Sequence, residues 1–112
     1  MWQSFAMGFK NVKIVVYVPS SHAEKVREAL AQSGAGHIGD YDSCSFSVKG
    51  IGRFRPLDGA NPYMGEVGKI EEIEEERIET ICPSSKLDEV LAAIREVHPY
   101  EEPAIDIVPL LN

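Results

Sequence analysis

The segment His98-Pro99-Tyr100-Glu101-Glu102-Pro103 constrains the path of this chain more than any other. Each proline fixes its own φ and disfavours helix for the residue before it, so a helix arriving at His98 has to stop there and the chain has to leave extended. The run that follows, Ala104-Ile105-Asp106-Ile107-Val108, reads as a strand. A rigid corner therefore joins a helix to a strand. It carries an imidazole, a phenol and two carboxylates where Asn, Gly or Ser would serve a plain turn. Two readings stand side by side: His98 ends the helix and the glutamates are solvated, or the corner forms part of a site.

The elements on either side follow from periodicity. Val12 to Val18 is an almost continuously apolar, β-branched run, which suits a strand with neighbours on both edges. Ser21-His22-Ala23-Glu24 has capping-box spacing, Ala23, Val26, Ala29 and Leu30 share one helical face, and Gly34 and Gly36 end that helix. From Tyr41 to Lys49, Cys44, Phe46 and Val48 alternate with serines, so a half-buried strand with Cys44 in the core is expected. Ile70 to Cys82 is a third strand, because its isoleucines form no helical stripe, and its run Glu71 to Glu76 is read as a solvated face. Ser84 or Ser85 is expected to cap the last helix, whose face is Leu87, Val90, Leu91, Ile94 and Val97.

Strand, helix, strand, strand, helix, strand is the α+β, ferredoxin-like βαββαβ arrangement, an antiparallel sheet with two helices on one face. Right-handed crossovers make the first and third strands central and the second and fourth the edges. The end of strand one, the long loop Gly50 to Gly68 and the His98 corner then share one end of the sheet, with His37 and Cys82 at the other. Loops of that length are usually functional or disordered. Arg53, Arg55, Tyr63, His98, Tyr100, Glu101 and His22 are the residues this topology lets converge.

Chain length and charge narrow the function classes. A chain of 112 residues suits a single domain, taken as residues 12–112 after an extension or tag remnant at 1–11. No apolar stretch approaches the roughly 20 residues of a membrane span. A net charge of −7 opposes attraction to phosphate backbones and anionic lipid heads, so neither nucleic acid nor membrane is an expected partner. Cys44 and Cys82 lack zinc-knuckle spacing and no secretory signal precedes them, which points to the cytoplasm.

Three separated motifs, Gly50-Ile51-Gly52-Arg53-Phe54-Arg55-Pro56, Gly59-Ala60-Asn61-Pro62-Tyr63 and His98-Pro99-Tyr100-Glu101-Glu102-Pro103-Ala104, resemble the domain inserted in YqfO-type members of the Nif-three-like family. The resemblance runs from about Lys13 to about Leu110 and is to that inserted domain as a stand-alone protein. It implies a fold related to CutA and the PII signalling proteins, both commonly trimeric. CutA is also resembled locally at His98-Pro99-Tyr100-Glu101 and Lys69-Ile70-Glu71. The dinuclear metal site of the full-length family belongs to halves that flank the insert, so its hydrolase chemistry is not expected here.

Three functional classes fit these residues. In the first, an oligomeric ligand-binding or regulatory module, the long loop works as the PII loop does. Arg53 and Arg55 then hold a small anionic ligand, with Tyr63, His98, Tyr100 and Glu101 nearby. In the second, His98, Glu101 and His22 bind a divalent metal ion. In the third, the corner and loop build a subunit interface, Arg53 and Arg55 only pair with the acids of Glu66 to Glu79, and Phe54 and Tyr63 anchor the loop. No serine or cysteine has an activating context, so an enzyme is not expected.

Overall fold

The structure is a computed structural model that describes residues 8–112. Residues 1–7 of the expected extension lie outside the described residues, whereas the carbonyls of Phe9 and Lys10 already accept hydrogen bonds from the side chain and backbone amide of Ser84.

The elements are β1 (Asn11–Pro19), α1 (Ala23–Ser33), β2 (Phe46–Phe54), β3 (Glu71–Pro83), α2 (Leu87–Val97) and β4 (Ile105–Leu110). The sheet order is β2-β3-β1-β4 and every neighbouring pair is antiparallel. This is the ferredoxin-like topology that the element order predicts, with β1 and β3 in the centre.

Alternation along β1 decides where the core sits. Val12, Ile14, Val16 and Val18 point to one face and pack against Val26 and Leu30 of α1 and Leu87, Val90, Leu91 and Ile94 of α2. Ile78 and Cys82 of β3 join them, and Ile105 and Ile107 of β4 close the side. Among the described residues, the opposite face of the sheet has no helix over it.

Both helices begin differently from their sequence signals. Ser21 does not cap α1: a short 3-10 turn, Ser20–His22, precedes it, and the Ser21 hydroxyl bonds Nδ1 of His22 instead. Neither Ser84 nor Ser85 caps α2, because the turn Ser84–Lys86 intervenes and the Ser84 hydroxyl is drawn to the Phe9 carbonyl. The end of α1 follows its signal, with Gly34 left-handed at φ 108° and its amide bonded to Ala31.

The second strand departs most from expectation. It runs Phe46–Phe54 rather than Tyr41 to Lys49, so the loop between β2 and β3 is residues 55–70 and Gly50 to Phe54 belong to the sheet. Cys44 lies before the strand, half-buried, and its carbonyl accepts from the Thr80 hydroxyl at 2.7 Å. The period of two is correct but the apolar set faces the helix-free side: Phe46 stands opposite Glu79 and Val48 opposite Arg77. They remain 66% and 41% exposed, whereas Ser47 points to the helix side and accepts a hydrogen bond from Arg27. Arg27 of α1 also holds the buried carboxylate of Glu76 at 2.7 Å, so the acidic run of β3 is not wholly solvated.

Candidate functional site

The register brings the end of β1, the β2–β3 loop and the α2–β4 corner together: Pro19 stands opposite Glu75, Phe54 opposite Glu71, and Val16 opposite Ile105. Gly36, beside His37, donates its amide to Ile81 at the far end of β3, which puts His37 away from this group.

His98 is the hub of the corner and is 7% exposed. Its Nε2 lies 2.7 Å from the Tyr17 carbonyl, and the Tyr100 amide donates to its Nδ1 at 3.2 Å. A carbonyl only accepts and an amide only donates, so the proton sits on Nε2 and Nδ1 is the acceptor. Burial holds the imidazole below its ordinary pKa, outweighing the Tyr17 carbonyl and the Glu75 carboxylate, which favour the charged form.

Tyr100 reaches the other way. Its hydroxyl donates to Glu75 at 2.7 Å, and burial together with that carboxylate pushes its pKa well up, so the phenol stays protonated. The Glu75 carboxylate lies directly against Gly52, where any Cβ would collide with it. A glycine in a strand often marks such a close approach. Glu101 then ties the corner to the loop, its Oε1 accepting the Asn61 amide at 2.8 Å.

An aromatic group surrounds these bonds. The Tyr100 ring lies 5.1 Å from His98, 5.8 Å from Phe54 and 6.3 Å from Tyr63, and Tyr63 meets His22 edge-on at 5.8 Å. Between loop and corner is a cleft of about 450 Å³ walled by Phe54, Pro56, Leu57, Tyr63, Met64 and Tyr100. Arg53, Arg55, Glu75, Glu101 and Glu102 also line it. Arg53 pairs with Glu72 at 3.3 Å, whereas among the described residues Arg55 has no carboxylate partner.

All seven residues singled out in the sequence lie at this end, yet they do not form the metal site expected of His98, Glu101 and His22. Both nitrogens of His98 are committed to backbone groups, which leaves no lone pair for a cation. Nδ1 of His22 meets Ser21, and among the described residues no three His, Cys, Asp or Glu side chains gather as a ligand set. His98 is a hydrogen-bonded structural residue, and no metal is assigned to it. Sequence reasoning missed Glu75, hidden within a run of glutamates, and the backbone of Tyr17 and Asn61. Gly52 marks the close approach of Glu75 only once it is known to lie within β2, whereas the sequence pattern assigns it to the loop.

Fold and site together define a class: a ferredoxin-like α+β domain whose long hairpin loop is folded against a buried-histidine corner. No protein-family profile matches the chain. It is 51% identical over 100 residues to the GTP cyclohydrolase 1 type 2 homolog of Halalkalibacterium halodurans, covering 89% of this chain and 27% of that relative. It is 53% identical over 98 residues to the Bacillus subtilis protein of the same name, with 88% and 26% covered. The chain thus spans about a quarter of the length of these curated relatives. Among solved structures, a Bacillus cereus protein related to NIF3 superposes with a TM-score of 0.81 at 48% identity, over 93% of this chain and 26% of that one. CutA from Archaeoglobus fulgidus, a periplasmic divalent cation tolerance protein, gives a TM-score of 0.66 at 22% identity, over 91% and 85%. The latter shows a shared fold alone. No helix is long and apolar enough to cross a membrane among the described residues.

Proposed function

We propose that the cleft between loop and corner binds a small ligand with an apolar, ring-bearing body and an anionic group, and that the domain is a regulatory binding module rather than an enzyme. The observation that carries this reading is Arg55, which lines an aromatic cleft and has no carboxylate partner among the described residues. A planar cationic fork is suited to carboxylate or phosphate. The cleft's volume of about 450 Å³ is in the range of small-molecule sites. Glu75 and Glu101 line the same space, but each has an oxygen engaged by a donor of the protein itself, Tyr100 and Asn61.

The module works in the cytoplasm as an oligomer, with a trimer favoured by the resemblance to CutA and PII proteins. Support comes from the helix-free face, where Phe46 and Val48 of an edge strand are exposed. Partner subunits that cover this face would also cover the open strand edges.

A thermal-shift screen tests the ligand reading, using nucleotides, GTP among them in view of the relatives' name, and anionic metabolites, each with and without magnesium. A compound that binds only the folded state raises the melting temperature as its concentration rises. Arg55→Ala is expected to abolish the shift and Arg53→Ala, already paired to Glu72, to reduce it less. If no compound shifts the parent, or if Arg55→Ala leaves a shift intact, the reading fails and loop and corner serve an interface.

A further inference from the structure

His98 sits where a single proton would undo several contacts at once. Its Nε2–H is given to the Tyr17 carbonyl and its Nδ1 accepts the Tyr100 amide. A second proton can go only to Nδ1, where it would face the Tyr100 N–H: two donors at 3.2 Å with no acceptor between them. The imidazole is nearly enclosed, so it cannot turn to water without the corner moving. Three residues on from His98, Glu101 holds the β2–β3 loop through the Asn61 amide, and Tyr100 holds Glu75.

We propose that His98 is a proton-operated latch, in which protonation of Nδ1 expels the Tyr100 amide, opens the corner and releases the β2–β3 loop from Glu101. The latch itself stands on the corner's hydrogen bonds; its use in admitting or releasing a ligand rests on the reading of the cleft as a binding site.

The neighbours of the ring set the sign. From β3 the Glu75 carboxylate favours the charged imidazole, and from the turn after β1 His22 disfavours it. Tyr100 on the corner is held protonated and adds no charge, and β1 presents the Tyr17 carbonyl. Burial outweighs these and depresses the pKa of the closed form. In the open corner the imidazole returns towards its reference of about 6.5. The closed state is therefore fully favoured above about pH 6.5 and loses ground as pH falls from there towards the depressed value. The closing equilibrium weakens by up to about tenfold for each pH unit in that window.

Nuclear magnetic resonance of the ligand-free chain between pH 7.5 and 5 tests the latch, following the ring nitrogens of His98, the Asn61 amide and the Tyr100 amide together. The expected result is one shared midpoint: as the ring gains its proton, the Tyr100 and Asn61 amides lose their hydrogen-bonded shifts while the β1 and β3 amides hold theirs. In His98→Gln, whose amide donates and accepts without titrating, Asn61 should keep its shift down to pH 5, and His22→Gln should keep one shared midpoint, moved slightly up in pH because a neighbour that disfavours the charged ring is gone. The proposal is overturned if Asn61 stays put while His98 titrates, or if the two midpoints differ. It is equally overturned if His98→Gln, once folded, retains the parent's pH response, which would assign it to Glu101 or Glu75. The midpoint comparison needs only the parent, so it decides the matter even if His98→Gln does not fold. Because no ligand is present, failure here leaves the cleft reading untouched, and an empty ligand screen at pH 7.5 leaves the latch untouched.

Discussion

Individual side chains at this site are fixed by hydrogen-bond inventory more than by residue type. Tyr100 and Glu75 form a bond in a partly buried place, so Tyr100→Phe leaves a carboxylate without its donor. A loss of about 1–3 kcal/mol is expected in urea unfolding at pH 7.5. Gly52→Ala should produce a similar loss by a different route, since the new methyl occupies the space of the Glu75 carboxylate. Combining it with Tyr100→Phe should cost clearly less than the sum, because both changes remove the same contact. An additive pair would mean that Gly52 and Tyr100 act independently. The two thiols also separate at this scale. Burial pushes Cys82 up to about 11, whereas Cys44 is half-buried outside the core. Cys82 is therefore held as the thiol and shielded in the core, so at pH 8 iodoacetamide should label Cys44 first by a wide margin. Equal labelling would place Cys82 outside the core.

At the scale of elements, the ends of helices and strands were set by what lies beside them. Ser21 has lost its capping role to the 3-10 turn, and Ser21→Ala should therefore cost less than the roughly 1 kcal/mol of a capping serine. Gly36 is the stricter position. Its φ of 83° is left-handed, and a Cβ there would stand 2.7 Å from the Cys44 carbonyl oxygen, a backbone atom that cannot swing away. Its amide also bonds Ile81, so the connection from α1 to β2 is pinned to the end of β3 through it. Gly36→Ala should lower stability by roughly 2 kcal/mol or more, read as a drop in the denaturant midpoint. A neutral Gly36→Ala would show that this connection can move off β3. The sequence identified all six elements by period, and β2 is where it misplaced one. Alternation fixes which residues share a face, but not which face meets the helices.

At the scale of the whole molecule, the side of the sheet that no helix of the described residues covers has the largest consequence. Ferredoxin-like sheets present two faces, and here the helices take the one bearing Ile14, Val16 and Ile78. Phe46, Val48 and Val108 stay exposed. If copies of the chain meet through this face, sedimentation in physiological salt should give a mass near three chains. Val48→Lys with Phe46→Glu should then reduce it to one, with the circular dichroism spectrum unchanged. A parent that is monomeric at micromolar concentration would remove the oligomer from the proposed function. The overall charge of −7 adds repulsion between copies, so assembly should strengthen with salt until the charges are screened.

The sequence by itself determined the order and kind of the elements, the central place of β1 and the corner at His98. Period, proline and glycine act over a few residues and need no partner from elsewhere in the chain. It also placed Arg53, Arg55, Tyr63, Tyr100, Glu101 and His22 at one end, because topology alone carries them there. Only the tertiary structure decided that His98 spends both nitrogens on backbone groups of Tyr17 and Tyr100. It also chose Glu75, out of a row of glutamates, as the one beneath Tyr100. Both choices depend on register and on distances across the sheet, and those are set by the packing of the whole core.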